Sequence, residues 1–379
     1  MSVAQPQNNH FRSKYRWAFG CILAGVLAQS MVAQEPLPLE EASEKSVVAP
    51  DLEMIYGKTE SAKTIQDYST IIEFCRTVLG DSTRPQEDRL YARTLMSWGM
   101  NRRGEARSDQ AAIMVREQNF DEAAKLDAMA RKDFETAIQL DATRWRAHHN
   151  LGITHAIQGK TEEAIASFTE TIRLNANFPN AYFNRGELYF RANQLEAALG
   201  DYNRVVQLSE DDSSAYSARA HTLYAMGKTD EALADYEKAM TLAPQSVDTA
   251  TEYADTCQAL GKWKEASKAY QQAMQLDNAN VRTLQNAAWM MATCPDDFYR
   301  NGNAALKTAK RAVQLASAGP SAQVLDVLAA AQATSGDFEA AQNSITAALR
   351  STTDPTLRAE LQMRGRLYQK KTAFVQPKR

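Results

Sequence analysis

Residues 183–208 read FNRGELYFRANQLEAALGDYNRVVQL, and residues 217–242 read SARAHTLYAMGKTDEALADYEKAMTL. The second stretch repeats the pattern of the first 34 residues further on. Gly152 and Gly186 stand 34 residues apart, Ala198, Ala232 and Ala266 recur at the same interval, and so do Tyr202, Tyr236 and Tyr270. Repetition at a fixed period of this size marks units that stack, because no single unit buries its own apolar face. In the unit from 179, Tyr182, Arg185, Gly186 and Tyr189 are spaced i, i+3, i+4, i+7, and Ala198, Tyr202 and Val205 follow at intervals of four and three. Each set falls on one stripe of a helix. The unit is therefore a pair of helices, with Gly or Ala where they approach and an aromatic ring filling the space beside them.

The turn residues agree. Gly159, Gly227, Gly261 and Gly336 stand between the two helices, where a left-handed residue is wanted, and Asn193 takes that place in the unit from 179. Thr161 and Thr229 are expected to cap the second helices, with Glu162, Glu163, Asp230 and Glu231 suiting the N-terminal dipole. The GKT triplets at 159–161 and 227–229 are turn residues rather than phosphate loops, since Thr154 and Thr222 stand where the leading glycine would be.

This pattern resembles the tetratricopeptide repeat, whose signature is W-x2-L-G-x2-Y, then A-x3-F, then a late Pro, which Pro244 supplies in one unit. Regular units start near Trp145, Pro179, Ser213 and Val247 and fill residues 145–280. Divergent units start at Val281, with an insertion around CPDDFYRNGN, and at Ala322, filling 281–350. Upstream, Trp98 and Gly99 read as a first helix and Ala130, Phe134 and Ala137 as its partner, with an insertion of roughly 19 residues between them. Residues 59–144 thus form N-terminal helices and an interrupted first repeat, and 351–379 a capping helix with a basic tail, QKKTAFVQPKR, expected to be a solvated end. The resemblance implies an all-α fold: a right-handed superhelical solenoid of about seven helix pairs with flanking caps, first helices lining the concave face.

The N-terminus is of another kind. Arg12, Lys14 and Arg16 precede the apolar run AFGCILAGVLAQSMVA, which ends in small residues at Ala33. Residues 1–33 are expected to be an export signal, with retention as a signal anchor as the alternative. Cleavage there takes the formal charge from −3 to −6. Residues 34–58 read as a flexible linker. Export makes the compartment disulfide-permissive, yet Cys75, Cys257 and Cys294 are an odd set without metal-ligand spacing, so no structural disulfide is expected. The expected location is the periplasm or outside the cell, or, with an anchor, the membrane with extracytoplasmic repeats.

Catalytic chemistry has little to stand on. His148 and His155 fall on the packing stripe and His149 off it, without zinc-ligand company. Asp211–Asp212 and Asp296–Asp297 lie in inter-helix turns. No G-x-S-x-G, H-E-x-x-H or Rossmann glycine pattern occurs. The balanced charge argues against a nucleic-acid partner. No enzyme activity, metal or cofactor is expected.

Function then lies in residues that packing does not require. By the resemblance, first-helix positions face the groove, and these place Asn150, Phe183, Asn184, Glu187, Phe190, His221, Tyr224, Glu252, Asp255, Asn286 and Trp289 there. Asn150, Asn184 and Asn286 share one position, where an amide can bond a peptide backbone. The aromatic residues are candidate anchors, with packing between neighbouring helices or under a terminal extension as the alternative, and the acids predict a taste for basic and apolar extended segments. A carboxylate clamp for chaperone C-termini is matched only by Asn184, with His149, Ile153, Ser214 and Ala218 in the other places. The expected function is a non-enzymatic scaffold for partner proteins or peptides outside the cytoplasm. Alternatives are an assembly factor or chaperone for cell-envelope complexes, and an enzyme or glycan-binding protein with a site at the insertions 105–120 and 294–303.

Overall fold

The computed structural model describes residues 49–316 and 319–377; the expected export signal lies outside the described residues. Seventeen helices and no strand occur among them, in two compact units that divide after Leu208.

The first unit opens with α1 (Pro50–Gly57) and α2 (Ile65–Gly80), then three helix pairs: α3 (Gln86–Arg116) with α4 (Phe120–Leu140), α5 (Trp145–Ile157) with α6 (Thr161–Leu174), and α7 (Pro179–Arg191) with α8 (Leu195–Leu208). The linker expected over 34–58 is corrected for its described part, because 50–57 are helical and Leu52 and Ile55 are buried in the N-terminal core beside Tyr68, Ile71 and Leu95. Pro50 at the first helical turn starts it without losing a needed donor. Thr64 and Asp67 form a reciprocal capping box that starts α2.

Glycine–aromatic contacts hold each pair together. A Cβ on Gly152 would come 2.8 Å from the Phe168 ring, and one on Gly186 3.0 Å from Tyr202. Both rings are buried. The expected left-handed turns form at Gly159 and Asn193, and the reversal closes with the Lys160 N–H on the His155 carbonyl at 2.9 Å. One detail is corrected: Lys160 and Lys228, without side-chain caps, occupy the N-cap positions, and Thr161 and Thr229 are the first helical residues. The turn between left-handed glycine and helix is only one residue long, so the cap falls one position earlier than expected.

The insertion in the first pair is also corrected. Gly104, not Gly99, is the small residue facing Phe134, whose ring a Cβ on Gly104 would strike; Gly99 packs on Ile72 of α2 instead. Gly104 and Phe134 are 30 residues apart, against 16 for Gly152 and Phe168, so the insertion is 14 residues. Seven precede the left-handed turn at Gln118 and seven follow it. Seven residues are close to two helical turns, so each helix lengthens while its buried stripe stays in register.

The second unit holds α9 (Ser213–Ala225) with α10 (Thr229–Leu242), α11 (Val247–Ala259) with α12 (Trp263–Leu276), α13 (Val281–Thr293) with α14 (Gly302–Leu315), α15 (Ala322–Thr334) with α16 (Phe338–Arg350), and the closing helix α17 (Pro355–Gln369). Side-chain caps from Asp212, Ser246, Asn280, Asn301, Ser321, Asp337 and Asp354 satisfy first-turn amides. In the two divergent pairs the aromatic gives way to Ala309 and Ile345, and the helices close over buried alanines such as Ala288, Ala305 and Ala329.

A second device recurs. Arg103 meets Asp133 at 2.9 and 2.7 Å, Arg185 meets Asp201 at 2.9 and 2.8 Å, and Arg219 meets Asp235 at 2.7 Å twice. Each arginine precedes the small residue of the first helix and each aspartate precedes the ring of the second. Such two-point pairing fixes orientation as well as contributing energy.

His149 departs from the sequence expectation. It is buried against Phe168 and Phe178, whereas His148 lies nearer the surface with Nε2 3.1 Å from the Ala142 carbonyl oxygen. Burial, with a smaller push from Arg146, lowers the His149 imidazole to about 3. An unfolded histidine takes up its proton near pH 6.5. Stability contributed by the neutral ring is therefore full above that pH and lost as the pH falls toward the folded value. Urea titrations between pH 6.5 and 5 are expected to lose up to about 1.4 kcal/mol per pH unit, and His149→Phe to flatten that slope. Equal slopes for the two proteins would contradict the assignment.

Candidate partner-binding face

First helices of successive pairs touch one another, α3 to α5 and α5 to α7 in the first unit, α11 to α13 and α13 to α15 in the second. The candidate groove residues sit on these helices and on α9, all half-buried.

In the first unit, Asn150 is committed: its Nδ2 donates to Asn101 Oδ1 at 3.0 Å and Glu105 Oε1 at 2.9 Å. Glu187 accepts a hydrogen bond from the Tyr202 hydroxyl at 2.7 Å, and Phe183 packs edge-on against that ring, centroids 5.7 Å apart. In the second unit Tyr270 repeats the motif, donating to Asp255 at 2.7 Å. Burial and then the acceptor carboxylate raise both phenols well above their ordinary range. The reason is general: a buried tyrosine needs a partner for its hydroxyl. Glu187 and Asp255 are thus acceptors for core rings rather than free groove charges.

Around Asp255 the second unit builds a network. Arg282 Nη2 donates to Asp255 at 3.1 Å and Asn286 Nδ2 donates to it at 2.8 Å. Arg282 also lies 3.7 Å from Glu252, whose other oxygen is 3.8 Å from His221 Nδ1. Five of the expected residues or their immediate partners, drawn from α9, α11 and α13, are brought together here. Two carboxylates face one guanidinium, so the acidity expected of this region is partly neutralised from within. His221 also meets Tyr236 edge-on at 5.7 Å.

Trp289 is corrected as an open anchor. Phe374 of the C-terminal segment lies on it with ring centroids 5.8 Å apart, and the Arg364 guanidinium stands 5.4 Å from its ring. The tail expected to be solvated instead folds back along α13. Asn184, Phe190 and Tyr224 remain half-buried at their expected places.

The residues at both insertions continue or connect the repeat helices. Residues 105–116 continue α3, and at 294–303 Asn301 donates its N–H to the Met291 carbonyl at 2.8 Å and caps α14. No group of three or more His, Cys, Asp or Glu positioned for a metal occurs among the described residues. Cys75, Cys257 and Cys294 are buried free thiols.

The family profile described as tetratricopeptide repeat matches residues 211–279, and that described as TPR repeat matches 154–193 and 186–227. A tetratricopeptide repeat protein from Parabacteroides merdae aligns with 70% of this chain and 98% of its own, at 17% identity and a TM-score of 0.50. The fold is that of tetratricopeptide repeats. The pilF protein of Pseudomonas aeruginosa is similar over 70% of this chain and 99% of its own, at 15% identity and a TM-score of 0.46. YrrB, described as a TPR protein with an unusual peptide-binding site, is similar over 48% of this chain and 90% of its own, at 18% identity and a TM-score of 0.39. No curated protein matches the chain.

Two recurring contacts of this chain are missing from the sequence reading: the Arg–Asp pairs and the tyrosine–carboxylate bonds. A signal for the first was present, in the dipeptides RG, RG and RA answered by DF, DY and DY. The second was hidden because a groove position and a packing position were treated as independent.

Proposed function

We propose that this chain is a non-enzymatic interaction scaffold that holds extended segments of partner proteins on the face formed by its first helices, outside the cytoplasm. Tetratricopeptide repeats serve protein–protein or peptide binding. The observation that carries the reading is the network His221–Glu252–Arg282–Asp255–Asn286, which joins three successive first helices along one face. A linked line of donors and acceptors on one face suits the repeating polar groups of an extended backbone. Tyr224 adds an aromatic group beside it, and Phe183, Asn184 and Phe190 offer a comparable set on the first unit. The two carboxylates favour basic side chains in the bound segment.

Export by residues 1–33 supplies the location; among the described residues no helix is long and apolar enough to cross a membrane. Cross-linking affinity capture from the native cell tests the reading. A protein held by the native chain is expected to be lost from a Tyr224→Ala, Glu252→Lys variant that keeps its helical circular-dichroism signal. Retention of the same proteins by both would move the working surface elsewhere. Cell fractionation with N-terminal sequencing is expected to find the mature chain outside the cytoplasm, beginning near Gln34.

A further inference from the structure

The last helical pairs already hold an extended segment, and it is the chain's own. Helix α17 ends at Gln369, Lys371 takes the left-handed conformation at φ 54°, and the Thr372 N–H closes on the Leu367 carbonyl at 3.0 Å, which turns the chain back. Beyond the turn, the Gln376 N–H donates to the Thr293 carbonyl at 2.8 Å and Gln376 Nε2 donates to Thr293 Oγ1 at 2.7 Å. Thr293 is the last residue of α13, so its carbonyl is one of the acceptors a helix leaves without an internal partner. The Thr293 hydroxyl donates to the Trp289 carbonyl at 2.7 Å, which leaves its oxygen lone pairs facing the amide. Backbone and side chain of one glutamine are thus read by one buried threonine.

Two residues earlier, Phe374 enters a built aromatic slot. Its ring lies on Trp289 at 5.8 Å with 34° between the planes, and the Arg364 guanidinium stands 5.6 Å from Phe374 and 5.4 Å from Trp289. Arg364 is itself fixed by two bonds to Asp326, at 2.9 and 2.7 Å. The slot and the threonine stand on α13, α15 and α17, and Ala373 and Phe374 also pack against the apolar cluster shared by α15, α16 and α17.

We propose that this is a peptide-binding subsite for a partner segment with an aromatic residue two positions before a glutamine, and that residues 372–377 occupy it in cis until the partner displaces them. The proposal rests on the scaffold reading above and names the sequence chemistry of one part of the bound segment. Backbone bonding with one side-chain pocket and one amide reader is a recurrent way to recognise an extended peptide. Occupancy in cis lowers the apparent affinity for a partner by the fraction of molecules in which the tail is released.

The test uses the full chain and a labelled peptide of sequence TAFVQPKR, the chain's own residues 372–379, followed by fluorescence anisotropy. The full-length variant Phe374→Ala, Gln376→Ala is expected to bind the peptide at least about tenfold more tightly than the native chain. The peptide with Ala in place of its Phe, or of its Gln, is expected to lose that binding, and so is the released variant when Thr293→Val is added. Circular dichroism checks that each protein remains folded; Gln376→Ala alone provides a milder released form. No saturable binding to either released, folded form would overturn the proposal, as would equal affinity for native and released chains. Exchange of tails between copies, seen as a dimer in light scattering that Phe374→Ala dissolves, would also overturn it. If the subsite fails while the Tyr224, Glu252 variant still loses its captured partner, the scaffold reading stands without it; if the peptide binds but capture is unaffected by Tyr224 and Glu252, that reading fails and the subsite stands.

Discussion

Asp326→Ala is expected to destabilise the second unit by about 3–5 kcal/mol, the usual cost of removing one partner from a buried ion pair. Arg364 is 4% exposed and Asp326 6%, so the buried guanidinium left behind keeps only the half-exposed Glu360, 3.3 Å from its Nη2, as a carboxylate partner. Burial pushes the Asp326 carboxyl up, to about 6, while Arg364 pulls against it. The pair is therefore not a large net source of stability by itself. Its loss is costly because one charge remains. Denaturant unfolding of Asp326→Ala and Asp326→Leu, Arg364→Met checks this: the double substitution is expected to recover much of the loss, since apolar replacement of a whole buried pair is often neutral or better. A double substitution as unstable as the single one would show that position rather than charge decides. Because Arg364 also walls the Phe374 slot, the double variant is expected to fold and yet hold its tail less firmly.

Phe134→Ala is expected to cost about 3–5 kcal/mol in the first unit, since the ring is buried between the lengthened helices. Gly104→Ala is expected to cost about 1–3 kcal/mol by overpacking, because its added methyl meets that ring. The informative result is the coupling. In the Phe134→Ala background, Gly104→Ala should become nearly neutral or stabilising, since the methyl then enters the space the ring has left and glycine is a poor helix former. Gly99→Ala should show no such coupling, because its neighbour is Ile72. Coupling of Phe134 to Gly99 instead would overturn the register of the 14-residue insertion.

That register also shows what the sequence could and could not say. The 34-residue recurrence of Tyr202, Tyr236 and Tyr270 is a local, periodic signal, and it placed the helices and their left-handed turns. The insertion broke the period, and two small residues, Gly99 and Gly104, were both available to face Phe134. Only the requirement that each helix gain whole turns chooses between them. The candidate groove residues fall on first helices, where a reading along the chain treats their side chains as available. Asn150, Glu187 and Asp255 are instead consumed by neighbours on adjacent elements, which a pattern along one chain segment does not reveal. The C-terminal tail is the clearest case. Its basic composition reads as solvated, whereas Phe374 and Gln376 find a ring and a threonine some 80 residues away in sequence.

The claim that the first-helix face is the working surface is tested most directly by site-specific photo-cross-linking in the native cell. A photoreactive phenylalanine analogue would replace Tyr224 in one strain and Phe298 in another. Tyr224 sits half-buried on α9, and Phe298 is 84% exposed on the loop before α14. The account predicts that irradiation joins a discrete partner protein to the chain from position 224 and none from position 298. The same partner joined from 298 and absent from 224 would contradict it.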